Sequence, residues 1–124
     1  MILMIALGGG MGAVSRYLIA GQALRLFGTH FPWGTLSVNI IGSFAMGILV
    51  ELMALRISVT PEMRAFLVVG LLGGFTTFSA FSLDVSLMME RHQMGLAALY
   101  AMASVSLSVG GLFAGLALIR SFSA

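Results

Sequence analysis

LLGGFTTFSAFS, residues Leu71 to Ser82, decides how the rest of this chain is read. It lies inside a hydrophobic stretch long enough to cross a bilayer, yet it sets two glycines, two threonines and two serines around Phe75, Phe78 and Phe81. In hydrocarbon every backbone N–H and C=O needs a partner within the protein, so a segment that invites helix breakage is tolerated only where it lines a cavity or binds something. The stretch therefore predicts a membrane helix broken at mid-depth, with a site at the break and an ion pathway beside it.

Outward from the break, the chain is apolar almost throughout. Hydrophobic residues make up 60% and charged residues 8%, and the mean hydropathy is +1.10, which marks an integral membrane protein. At roughly 20 residues per span, 124 residues hold about four helices and little else, so one all-α, four-span domain over residues 1–124 is expected. The spans are predicted over Ile2 to Ile19, Trp33 to Leu55, Met63 to Met89 and Gly95 to Ile119, with Pro32 and Trp33 at an interface. No basic segment precedes Ile2 to Leu7, so this stretch is expected to stay as the first span and not to be cleaved as a signal. Without cysteine there is neither a disulfide framework nor thiolate chemistry. The pI near 10 comes from six arginines scattered singly, with no basic stripe and no base-stacking platform, so nucleic acid is not an expected partner.

Four spans place Arg56, Arg64 and Arg120 on one side of the membrane and Arg16, Arg25 and Arg91 on the other. Three against three leaves the positive-inside rule nothing to act on, which predicts insertion in both orientations. Two oppositely inserted copies would form an antiparallel, dual-topology homodimer about an axis in the membrane plane. Small residues spaced by four, Gly8 and Gly12, Ser43 and Gly47, Gly111 and Gly115, permit close helix packing within one chain or between two.

The polar residues within the spans carry the chemistry. Asn39, about two turns into the second span, either bridges helices or faces water, because an unpaired amide there is costly. Tyr100, Ser104 and Ser108 repeat at four-residue spacing and fall on one helix face, where neutral hydroxyls can donate to an anion without trapping it. The alternative is that the serines bond back to their own helix. Arg16 either snorkels to the interface or makes the mouth of a cavity positive, and Asp84 either forms a structural ion pair with such an arginine, the favoured reading, or lines the vestibule.

At the break itself, Gly73 and Gly74 loosen the backbone while Thr76, Thr77 and Ser79 compete for its hydrogen bonds. The freed carbonyls would form a neutral, hard-oxygen site for a small monovalent cation such as sodium. Phe78 and Phe81, three apart, project from one face, where positive ring edges could meet a small anion; a core or lipid-facing position is the other reading for such a pair.

GGMGAVSRY at Gly9 to Tyr17, WGTLSVNIIGSF at Trp33 to Phe44 and GLLGGFTTFSAFS at Gly70 to Ser82 occur in order, and together they resemble the Fluc/CrcB fluoride channels over essentially the whole chain. The resemblance implies a dual-topology homodimer in the bacterial cell inner (cytoplasmic) membrane, with two antiparallel pores through which fluoride leaves passively, giving fluoride resistance. It further implies a structural central sodium held by main-chain oxygens of Gly73 and Thr76 from both subunits. An aromatic box of Phe78 and Phe81, with Ser79 between them, a pore asparagine at Asn39, a polar track of Tyr100, Ser104 and Ser108, and a vestibule arginine at Arg16 complete the implied set. Ala80 departs from the pattern, since many members carry threonine there. Asp84 stands where relatives often have an acid.

Other classes fit the sequence less well. A small dual-topology multidrug exporter needs a carboxylate in its first span, and Ile2 to Ile19 has none. Enzyme chemistry is not expected, because His30 and His92 both lie in connections and the acids never cluster at catalytic or metal-ligand spacing.

Overall fold

The computed structural model describes residues 1–123; Ala124, the last residue of the expected 1–124 unit, lies outside the described residues. The described residues form helices joined by short turns. Four helical runs are long and apolar enough to cross a membrane, at Ile2–Phe27, Trp33–Leu55, Pro61–Glu90 and Met94–Phe122.

The first helix, α1 (Ile2–Phe27), continues past the predicted end at Ile19. The stretch after Ile19, with Arg25, reads as a connection, but its alanines and leucines favour helix. The helix stops at Gly28, whose φ of 79° lies in the left-handed region that only glycine enters at little cost, and whose N–H donates to Leu24 O at 2.9 Å. The second helix, α2 (Trp33–Leu55), keeps its predicted bounds.

The third run is composite. Thr60 caps α3 (Pro61–Arg64) by accepting from Met63 N–H at 3.1 Å, with Pro61 in the first turn, where its missing N–H is harmless. A π-helical segment follows over Ala65–Leu72, then the single turn α4 (Gly73–Phe75). Thr76 turns to an extended conformation, with φ −83° and ψ 154°, and a new helix, α5, runs over Ser79–Glu90. After a turn through His92, α6 covers Met94–Ser123.

Packing divides into two seams made by small residues. On one, α1 lies against the π-helical segment and α4, with Gly8 beside the Phe66 carbonyl and Gly12 beside the Leu71 carbonyl; any Cβ at either glycine would overlap those oxygens. On the other, α2 lies along α6, with Gly47 against the Leu112 carbonyl and Gly115 against that of Phe44. These glycines, each from one of the pairs spaced by four, thus serve packing within one chain, which in an apolar medium depends on close van der Waals approach.

The two ends of the bundle are identified by contacts. At one, buried Glu51 pairs with Arg120 at 3.2 Å and Arg56 donates to the Phe122 carbonyl. At the other, Arg91 shares a cavity of about 330 Å³ with the loop Gly28 to Pro32 and with Asp84.

The seams give a stability prediction. Gly12→Ala and Gly47→Ala each force backbone apart and should cost about 1–3 kcal/mol. Gly21→Ala, with nothing within 4 Å of its added Cβ, should stay within about 1 kcal/mol of the parent. Thermal unfolding of the detergent-solubilised protein, compared across the three, provides the measurement.

Candidate functional site at the broken helix

The helical ladder, π-helical over Ala65–Leu72, continues to Leu72 O, which accepts from both Thr76 N–H at 3.0 Å and Thr76 Oγ1 at 3.1 Å. Beyond it, side chains take over. The N–H of Thr77, which in a continuous helix would bond Gly73 O, donates to Asn39 Oδ1 at 2.8 Å. In return Asn39 Nδ2 donates to Thr77 O at 2.9 Å. The Asn39 amide thus pairs with one peptide unit of the break through both its donor and its acceptor. Asn39 bridges helices, and the same side chain also faces a cavity, with one amide proton unspent.

The next diversion lies three residues on. Ala80 N–H, whose helical acceptor would be Thr76 O, donates instead to Thr77 Oγ1 at 3.2 Å, as the first amides of a helix do toward a capping residue. Thr77 Oγ1 also lies 3.1 Å from Ser79 Oγ. The regular ladder resumes with Ser82 N–H on Phe78 O at 2.9 Å. Between these points Gly73 O and Thr76 O have both lost their helical donors, while Gly74 O accepts from Arg16 Nε at 3.3 Å. Gly73 and Thr76 therefore offer neutral carbonyl oxygens of the kind a small hard cation takes.

Arg16 is half-buried and donates from Nε to Gly74 O. Its guanidinium turns inward to the break and does not line the cavity beside it.

That cavity, about 280 Å³, is where the predicted residues meet. Asn39, Phe78, Phe81, Ser104 and Ser108 all line it, joined by Ser43, Thr76 and Thr77. The Oγ atoms of Ser104 and Ser108 are buried and have no hydrogen-bond partner among the described residues. Back-bonding, the other reading for them, is what Ser82 and Ser121 do, to Phe78 O and Leu118 O. A buried hydroxyl without a partner costs about 1–3 kcal/mol, so a pair facing one cavity marks a place for water or a ligand.

Phe78 and Phe81 stack with ring centroids 5.3 Å apart and planes 24° from parallel. Their surroundings differ. Phe81 packs on Tyr100 at 5.1 Å and joins the core around Leu36, Met88 and Ala97, whereas Phe78 is 71% exposed on the outside of the protomer.

Tyr100 and Ser79 do not line the cavity. Tyr100 is fully buried, edge-on to Phe31 at 5.3 Å, and its hydroxyl donates to Asp84 Oδ2 at 3.0 Å. The hydroxyl ladder on α6 is therefore divided, with the two serines facing the cavity and the tyrosine facing a carboxylate. The arginine ion pair expected for Asp84 is replaced by this bond, because Arg16 is held at Gly74. Ser43 is the hydroxyl that the sequence reading treated only as a small packing residue. Its position one turn beyond Asn39, on the same face of α2, is the signal that identifies it.

A family model described as CrcB-like protein, Camphor Resistance (CrcB), matches residues 3–116. The fluoride-specific ion channel FluC of Rhodospirillum centenum is 60% identical over 121 residues, covering 98% of this chain and 96% of that protein. Those of Agrobacterium fabrum, at 55%, and Chelativorans sp., at 53%, each align over 120 residues, covering 97% of this chain and 96% of theirs.

The Tyr100–Asp84 bond yields a direct test. Tyr100→Phe removes the donor to a partly buried carboxylate and should cost about 1.5–3 kcal/mol, read as a lowered unfolding midpoint against Tyr17→Phe, which alters an exposed residue.

Proposed function

The chain belongs to the CrcB family, and from that premise we propose that it is a passive, fluoride-selective channel of the bacterial cytoplasmic membrane that exports fluoride and so gives fluoride resistance. The family is one of ion channels and not of enzymes, and the four apolar helices make the chain a multi-pass membrane protein. One observation carries the reading: a cavity beside a broken helix holds two buried serine hydroxyls with no hydrogen-bond partner among the described residues.

Fluoride is strongly hydrated, so a route through protein must replace its water with donors that do not hold it too tightly. Ser104 Oγ and Ser108 Oγ can each donate one proton, and the unspent amide proton of Asn39 adds a third donor at the same cavity. None of these groups is charged, so the anion meets no deep trap. The edges of the Phe78 and Phe81 rings carry the positive part of the aromatic quadrupole and complete the replacement. Tyr100 orders Asp84 through its hydroxyl and supports Phe81 from behind.

The functional unit in this reading is an antiparallel homodimer. Arg56, Arg64 and Arg120 towards one end of the bundle against Arg25 and Arg91 towards the other leave only a small charge bias, which supports dual topology, and the exposure of Gly73 and Phe78 supports a second copy covering that face. The break then lies near mid-membrane, and the main-chain oxygens of Gly73 and Thr76 from both copies would hold a structural sodium ion. When bound, that ion supplies a fixed positive charge that favours anions near the centre of the protein.

Reconstituted liposomes test the reading. Fluoride efflux without chloride efflux is expected, and chloride flux at the same rate would overturn it. Ser104→Ala should lower fluoride efflux by roughly tenfold or more, since a hydrogen bond to an ion contributes about 1.5–3 kcal/mol. Phe78→Ile and Phe81→Ile should also lower it; undiminished efflux in both would remove the aromatic part of the mechanism. Replacing all sodium with N-methylglucamine should impair efflux while leaving membrane insertion intact, as judged by extraction and gel filtration.

A further inference from the structure

Gly73 O and Thr76 O are free for a definite reason. Each lost its helical donor to a particular side-chain oxygen, Thr77 N–H going to Asn39 Oδ1 at 2.8 Å and Ala80 N–H to Thr77 Oγ1 at 3.2 Å. Without those acceptors both amides would be buried donors in an apolar setting, and the carbonyls one helical turn earlier would be their nearest relief. The break is thus a competition between two pairs of acceptors. Side chains on α2 and within the break win it, and the losing carbonyls become ligands.

We propose that Asn39 and Thr77 are positioning residues of the cation site, holding Gly73 O and Thr76 O out of the helical ladder so that they can ligate sodium. This rests on the sodium reading above and assigns to the Thr77 side chain a task that no anion contact requires. Asn39 has a double role, since the same amide that clamps Thr77 lines the cavity with Phe78 and Ser104. Cation occupancy and the shape of the anion route are therefore linked through one side chain, and the linkage is reciprocal.

The experiment reads cation binding and not flux. Thermal unfolding of the purified protein is followed by Trp33 fluorescence while sodium is titrated at constant total salt against N-methylglucamine, for the parent, Thr77→Val, Thr77→Ser and Asn39→Ala. Thr77→Val keeps the branched shape and loses the acceptor, whereas Thr77→Ser keeps the hydroxyl. The expected result is a sodium midpoint raised by about 10-fold or more in Thr77→Val and Asn39→Ala, the range typical for supporting groups behind metal ligands, with Thr77→Ser close to the parent. A merely structural role would lower the unfolding temperature equally with and without sodium and leave the midpoint in place; that outcome in Thr77→Val overturns the proposal. Should Asn39→Ala fail to fold, the Thr77 pair decides alone. A parent protein with no sodium-dependent shift overturns the sodium reading and the proposal together, whereas a normal parent with an unmoved Thr77→Val overturns only the proposal.

Discussion

The paired amide between Asn39 and Thr77 is the constraint on which the other features of the site depend. A helix cannot open inside hydrocarbon unless the groups it releases find partners, and one carboxamide reproduces the donor and acceptor of a peptide unit on a single side chain. Once Thr77 is held in this way its hydroxyl is placed to cap α5, and the ladder restarts at Phe78 O. The stack of Phe78 on Phe81 follows, because both rings leave the chain within the first turn of that restarted helix.

The clamp works only if α2 comes close to the break, and the sequence provides for that at Gly42. A Cβ there would overlap the Thr76 methyl group and lie 3.1 Å from the Phe75 ring, so a larger residue would push the break away from the Asn39 amide. The same economy of volume joins α1 to the π-helical segment and α2 to α6. The site is therefore braced from both seams.

Much of this was legible in the sequence, for reasons that differ from element to element. Hydropathy located the four spans because each must be apolar over its membrane-crossing length, and Thr76–Thr77 announced the break because those side chains compete with the ladder. The i, i+3 spacing of Phe78 and Phe81 was enough to bring their rings together. The π-helical segment left no sign in AFLVVGLL, whose residues are ordinary for any apolar helix. Nor could spacing on α6 reveal that the Tyr100 hydroxyl meets Asp84, since that contact depends on where α5 runs after the break. Arg16 was legible as special but not in direction, because its acceptor, Gly74 O, exists only once the ladder has failed.

The locked seam between α2 and α6 has a consequence for the surrounding lipid. With 30 residues α6 is about 45 Å long, and α2 with 23 residues about 35 Å, against a hydrocarbon thickness of about 30 Å. A lone helix relieves such mismatch by tilting freely. Here Gly47 and Gly115 bring the two helices together backbone to backbone, so neither can tilt far without the other. A tilt that relieved mismatch in α6 would therefore be carried by α2, the helix that holds Asn39.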